Sequence, residues 1–201
     1  MTISKTIAVA ALAFAAMGAQ AELVTNGSFE ADAQAAGTFG IYPNLTGWTG
    51  HTNIELRNNR AGAAQDGVNY VELDTTSNMS MHQTITGSGL YELSFWYSAR
   101  ENTPAGDNGL GFSFGDLSGT VLMATAGAAA GNVWQHFTGL VTLTGPTDLV
   151  FTAMGTSNSY GASIDNVSVT AAVPEPETYA MLLAGLGLMG TIVRRRKANQ
   201  A

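Results

Sequence analysis

A chain of 201 residues with 24 glycines, no cysteine and only 11% charged residues has room for one domain with its own core, flanked by short appendages. The lack of cysteine excludes disulfide staples, thiolate metal sites and thiol nucleophiles at once. A formal net charge of −7 argues against nucleic acid as a partner, because phosphate binding needs clustered Lys and Arg. The cations that exist sit mostly at the ends: Lys5 near the start and Arg194, Arg195, Arg196 and Lys197 near the finish. Residues 22–172 retain three arginines, Arg57, Arg60 and Arg100, against thirteen acids, a net charge of −10. Such a body stays soluble by self-repulsion and attracts divalent cations.

In chain order, residues 1–21 read as a secretory signal peptide. Lys5 supplies the positive start, Ile7 to Met17 the apolar run, and Ala19-Gln20-Ala21 the small-x-small form cut by signal peptidase. The mature chain then starts at Glu22, outside the cytoplasm. Residues 22–172 show no long helical period. They show short alternating runs rich in aromatic and β-branched residues, separated by Gly, Asn, Asp, Ser and Thr clusters. The predicted strands are Val68 to Leu73, Met81 to Ile85, Tyr91 to Tyr97, Leu110 to Phe114, Phe137 to Leu143, Leu149 to Ala153 and Ile164 to Val169. In Tyr91–Tyr97 the residues Tyr91, Leu93, Phe95 and Tyr97 share one face, and Glu92, Ser94 and Trp96 the other. Met123 to Gly131, an Ala/Gly stretch, reads as a flexible loop. Seven or more short strands with polar turns predict an all-β domain, a β-sandwich.

The C-terminal 173–201 segment holds Val173-Pro174-Glu175-Pro176, which cannot continue a helix or strand and reads as an extended tether open to proteolysis. A single apolar run follows, Tyr179 to Val193, read as a hydrophobic helix short of the roughly 20 residues of a permanent span. Arg194, Arg195, Arg196 and Lys197 close it and stay cytoplasmic under the positive-inside bias, which leaves the domain outside. This order of parts resembles the PEP-CTERM sorting signal. The resemblance implies an exported protein that inserts transiently in the inner membrane. An exosortase-type membrane protease would cut it near Pro174–Pro176 and deliver it to the cell surface or extracellular matrix of an exopolysaccharide producer. A simple C-terminal membrane anchor is the alternative.

A second resemblance spans the middle. Leu23-Val24-Thr25-Asn26-Gly27-Ser28-Phe29-Glu30, Gly47-Trp48, Asn53-Ile54-Glu55-Leu56, Asp66 to Leu73, Gln83-Thr84-Ile85, Gly89 to Phe95 and Ile164-Asp165-Asn166-Val167-Ser168-Val169 follow one another in order. The series is similar to the jelly-roll domains of the galactose-binding-like and carbohydrate-binding-module superfamily, the DUF642-like members especially. It implies a jelly-roll β-sandwich and a structural Ca2+ held by a Glu and an Asp that map to Glu30 and Asp165. Glu30 is expected after the first strand and Asp165 at the start of the last, side by side. Calcium takes six to eight oxygens, and turns such as Asn26-Gly27 offer carbonyls. The plainer alternative is that both acids cap turns.

A sugar presents an apolar CH face and a hydroxyl rim, met by aromatic platforms and by amide, carboxylate or guanidinium groups. Candidate carbohydrate-binding residues are Trp96 with Glu92 and Arg100 on a polar strand face, Arg57 in the Arg57-Asn58-Asn59-Arg60 cluster, and Tyr42 and Tyr160 in expected loops. Trp48 and Trp134 read as packing residues, and Trp96 is open between packing and display. His51, His82 and His136 lack metal-ligand spacing, and no Gly-x-Ser-x-Gly elbow is present. The expected function is therefore non-catalytic carbohydrate (exopolysaccharide) binding. A structural or adhesive matrix protein is the alternative, and a polysaccharide hydrolase with two carboxylates in a cleft the more remote one.

Overall fold

Ten strands build the domain. They are β1 (Phe39–Leu45), β2 (Trp48–Asn58), β3 (Asn69–Glu72), β4 (Ser80–Ile85), β5 (Ser88–Ser98), β6 (Gly109–Phe114), β7 (Leu117–Val121), β8 (Gln135–Thr144), β9 (Thr147–Met154) and β10 (Ser163–Ala171). The computed structural model describes residues 21–172. The expected signal-peptide run and Ala19, the Val173–Pro176 tether, the Tyr179–Val193 helix and Arg194 to Arg196 lie outside the described residues.

All pairs are antiparallel, and the hydrogen-bonded order is β7-β6-β9-β4-β2-β3-β10-β5-β8, with β1 on β2. β2 is the strand that turns the corner. Its start, Thr49 and Gly50, pairs β4, and its end, Glu55 to Asn58, pairs β3. The ladder thus folds into two layers, β1-β2-β3-β10-β5-β8 and β7-β6-β9-β4. The inward residues of both layers meet in one core: Ile54, Leu56, Val71, Leu93, Phe95 and Ile164 from the first, Met81, Ile85, Leu110, Phe114, Leu149 and Phe151 from the second. Phe95 lies at the centre, 5.0 Å from Phe151 and 5.2 Å from Phe112 across the layers and 4.9 Å from Phe137 beside it. Edge-to-face contacts of this kind add to the area buried. This is the jelly-roll β-sandwich predicted above.

The seven predicted strands correspond to β3, β4, β5, β6, β8, β9 and β10. β1, β2 and β7 are absent from the predicted set, although Ile54 to Arg57 of β2 alternate. β1 contains Pro43, which has no N–H for a ladder, and the β1–β2 register slips between Tyr42 and Asn44, so the proline occupies an irregular point of an edge strand. β7 is mostly Ser, Gly and Thr and is held by β6. Tyr42, expected in a loop, belongs to β1, packs against the core and donates its hydroxyl to Gln34 at 2.8 Å.

The first strand expected before Glu30 does not form. Residues 23–32 run through turns and bends, yet they lie along β10: Leu23 N donates to Val169 O, and Val167 N to Gly27 O. Gly27 is needed here because a Cβ would collide with the Val167 carbonyl. On β10 the register shifts between Asp165 and Ser168, with Asn166 at φ 46°. The bulge returns Val167 and Val169 to the core after Ile164. The buried core of the sandwich is drawn from residues between Val24 and Val169.

Candidate functional site

Alternation on β2 and β3 decides what lies on the outer face of the first layer. Ile54 and Leu56 point inward, so Glu55 and Arg57 point outward. Val71 points inward, so Tyr70 and Glu72 point outward. Register then lines these groups up. Ile41, Glu55, Glu72, Ser163 and Ser98 form one cross-strand row, and Phe39, Arg57 and Tyr70 the next. Charged groups at these positions are buried because neighbouring loops fold over the sheet.

Arg57, 2% exposed, is the centre of the arrangement. Its Nε donates to Glu55 Oε1 at 2.6 Å and its Nη2 pairs with Glu72 Oε2. Glu72 Oε2 also meets Arg100 Nη1 at 3.2 Å, and its Oε1 accepts from Gly161 N at 2.6 Å. Burial is the largest influence on Glu72 and pushes its carboxyl up to about 8, past the pull of Arg57 and Arg100. Burial opposes the Arg57 charge, but Glu72 and Glu55 outweigh it and raise its pKa. Arg57 Nη1 and Thr75 Oγ1 are buried with no hydrogen-bond partner. Such atoms carry a desolvation cost that a ligand can relieve.

A cleft of about 280 Å³ opens above this cluster. Phe39 and Ile41 of β1 form one wall, and Tyr160 with Ser159 forms the other. Glu55, Arg57, Arg60, Thr75 and Arg100 supply the polar lining. Phe39 is 50% exposed and Tyr160 48%, so both present aromatic surface to solvent. Arg100 lies over the Tyr160 ring, its Cζ 4.3 Å from the centroid, and donates from Nη1 to Ser159 O at 2.9 Å. The Tyr160 loop is held from beneath. Asp74 Oδ2 accepts from Asn158, Ser159 and Tyr160 N at 2.9, 3.0 and 3.2 Å.

Of the six candidate sugar-binding residues, Arg57, Arg100 and Tyr160 therefore converge on this cleft. Tyr42 points to the other face of β1 from Phe39 and Ile41. Glu92 is exposed on β5 and does not line the cleft. Trp96 is half-buried and stacked on His136, ring centroids 4.6 Å apart. The packing reading of Trp48 agrees with its burial between Phe29 and Phe151, and Trp134 sits edge-on to Tyr70. Sequence reasoning did not single out Phe39, Ile41, Thr75, Glu72 and Asp74 as site residues. The usable signal was Glu55 and Arg57 alternating with Ile54 and Leu56, which puts paired charges opposite a core face.

Glu30 and Asp165 each bind the 65–69 loop, away from the cleft. Glu30 Oε1 accepts from Val68 and Asn69 N at 2.8 and 2.6 Å, and Asp165 Oδ2 from Gln65 and Asp66 N at 2.8 and 3.0 Å. Asp165 Oδ1 accepts from Asn166 N at 2.7 Å. Burial pushes the Asp165 carboxyl up to about 7, more than these N–H groups lower it. Gly67, at φ +63°, lies against the Glu30 carboxyl where a side chain would collide. Asn69 Oδ1, on the residue whose N–H Glu30 accepts, is buried without a partner. Among the described residues no group of three His, Asp or Glu gathers as a metal cluster.

Solved structures share this fold. An arabinose-bound α-L-arabinofuranosidase superposes with a TM-score of 0.51 at 13% identity, over 76% of this chain and 27% of that one. A family 35 carbohydrate-binding module from Clostridium thermocellum gives 0.44 at 17% identity, over 67% and 99%. A CBM22-1 xylan-binding domain from Paenibacillus barcinonensis gives 0.45 at 12%, over 79% and 100%. At such identities these likenesses speak to the fold alone. No curated protein matches the chain. Residues 172–197 match the PEP-CTERM protein-sorting motif, so the chain is exported and passes through a membrane toward the cell surface.

Proposed function

We propose that this protein is a non-catalytic carbohydrate-binding module of the extracellular matrix, and that the Arg57–Arg100–Tyr160 cleft is its sugar site. One observation carries the reading: solvent-exposed Phe39, Ile41 and Tyr160 frame a polar floor in which Arg57 Nη1 and Thr75 Oγ1 lack partners. That pairing of apolar wall and unspent hydrogen-bonding groups matches the two chemistries of a sugar ring. The reading moves the aromatic platform from Trp96 to Tyr160 and Phe39.

Hydrolysis fits the cleft less well. Glycosidases of the usual kind need two carboxyl groups that both reach the scissile bond. Both Glu72 oxygens are already bonded and the residue is fully buried, which leaves Glu55 as the acid at the cleft. The sorting motif supports the remaining parts of the proposal: recognition by an exosortase-type protease, cleavage near Pro174–Pro176 and placement in an exopolysaccharide matrix. Display of many copies there would raise a weak single-site affinity.

A structural calcium at the 65–69 loop belongs to the same proposal. Glu30, Asp165 and the unpartnered Asn69 Oδ1 are hard oxygen donors of the kind calcium takes, and the ion would fasten the N-terminal strap to β10. Affinity electrophoresis of residues 22–172 through gels of different polysaccharides tests the function. Retardation abolished by Tyr160→Ala and kept by Trp96→Ala is expected. Migration unaffected by every polysaccharide overturns the reading and favours a purely structural matrix protein.

A further inference from the structure

We propose that the cleft selects an acidic sugar, a residue whose ring carries a carboxylate. The inference rests on the carbohydrate-binding reading above and narrows its ligand class. Residues 22–172 contain three cationic side chains in all, and all three, Arg57, Arg60 and Arg100, line this one cleft. In a body of net charge −10 that convergence leaves a single positive spot on a negative surface.

The three guanidinium groups are not equally spent. Arg100 is committed to Glu72, Ser159 O and the Tyr160 ring. Arg57 uses Nε and Nη2 on Glu55 and Glu72, but its Nη1 is buried and unpartnered at the cleft. Arg60 is exposed and has no ion pair among the described residues. Arg57 near the end of β2 and Arg60 just past it thus bring two donors of like charge to the cleft lining, a carboxylate being the group that satisfies both. With Glu55 and the underlying Glu72 both ionised, the three arginines still leave one positive charge, which one carboxylate neutralises. The burial-raised Glu72 carboxyl adds to the imbalance at neutral pH.

The rest of the cleft suits a ring more than a free ion. Phe39 and Tyr160 stand on opposite walls, and the volume of about 280 Å³ is at the small end of ligand clefts, near one sugar unit. A long polyanion gains nothing from the surrounding surface, which repels it. Binding must therefore be local, and lost when the local cation is removed.

The test uses affinity electrophoresis of residues 22–172 in sodium polygalacturonate, alginate and hyaluronate, beside the carboxyl-reduced form of each polymer and dextran sulfate. Retardation by at least one polyuronate and by neither control is expected. Arg60→Gln should weaken it by about tenfold, the loss of one charge-assisted hydrogen bond. Arg60 is exposed, so this variant should melt like the parent, which separates binding from folding. Equal retardation by acid and carboxyl-reduced polymers, or by dextran sulfate, overturns the acidic-sugar inference and leaves sugar binding standing in the first case. An unchanged Arg60→Gln affinity overturns it as well. If neutral and acidic polysaccharides alike fail to retard the domain, both this inference and the proposed function fall.

Discussion

Asp74→Ala separates the wall of the cleft from its floor. Asp74 precedes Thr75 of the cleft lining, and its Oδ2 accepts from Asn158, Ser159 and Tyr160 N at 2.9, 3.0 and 3.2 Å. Hydrogen bonds to a charged group contribute about 1.5–3 kcal/mol each when buried. These three share one oxygen and lie beside a partly exposed loop whose N–H groups can rehydrate, so the net loss should be roughly 2–3 kcal/mol and not three times the single value. The consequence for function is larger. With its three anchors gone, the Tyr160 loop is left to the Arg100 contacts and the Asn158–Asp107 bond, so this wall of the cleft should loosen. Urea unfolding of residues 22–172 measures the stability change, and affinity electrophoresis measures binding. Asp74→Asn keeps one acceptor oxygen and should fall between the parent and Asp74→Ala in both. Full stability and full binding in Asp74→Ala would refute the view that this carboxylate builds the site.

Other outcomes follow from the same structure. Burial raises the carboxyls of Glu72, to about 8, and Asp165, to about 7, so the folded state holds protons that the unfolded state has released above about pH 4.5. Their contribution is complete below that pH and is lost as pH rises through 7 and 8. The melting temperature should accordingly be several degrees higher at pH 5 than at pH 8.5, as scanning calorimetry would show. A calcium ion at the 65–69 loop should raise the melting temperature at pH 8, and Glu30→Gln should remove the gain; titration calorimetry with calcium alone checks the binding. Phe95→Ala empties the centre of the core and should cost about 3–5 kcal/mol in urea unfolding, without any change in which residues line the cleft. Gly27→Ala drives a Cβ into the Val167 carbonyl and should expose the N-terminal strap to limited proteolysis at native pH.

The sequence by itself determined the class of fold, because a two-residue alternation leaves a sheet one apolar face whatever its partner. Tyr91–Tyr97 and Leu149–Ala153 could be placed inside a β-sandwich on that ground, and their inward residues Phe95 and Phe151 now touch at 5.0 Å. The sorting segment at 172–197 was equally legible, since a Pro-Glu-Pro tether, an apolar run and a basic end act through local chemistry and linear order. The site was only half legible. Arg57, Arg100 and Tyr160 could be named as polar or aromatic residues available for binding, but 43 and 60 residues of chain separate them, and nothing local says they meet. Cross-strand register decided that. Glu55 lies opposite Glu72, and Phe39 opposite Arg57, because β2 pairs with β1 on one side and β3 on the other. Trp96 shows the same limit from the other side. Its outward face was readable from alternation, but its stacking on His136 depends on the β5–β8 pairing that puts them opposite each other. Alternation tells which way a side chain points, whereas its neighbour is set by long-range pairing, and binding sites are made of neighbours.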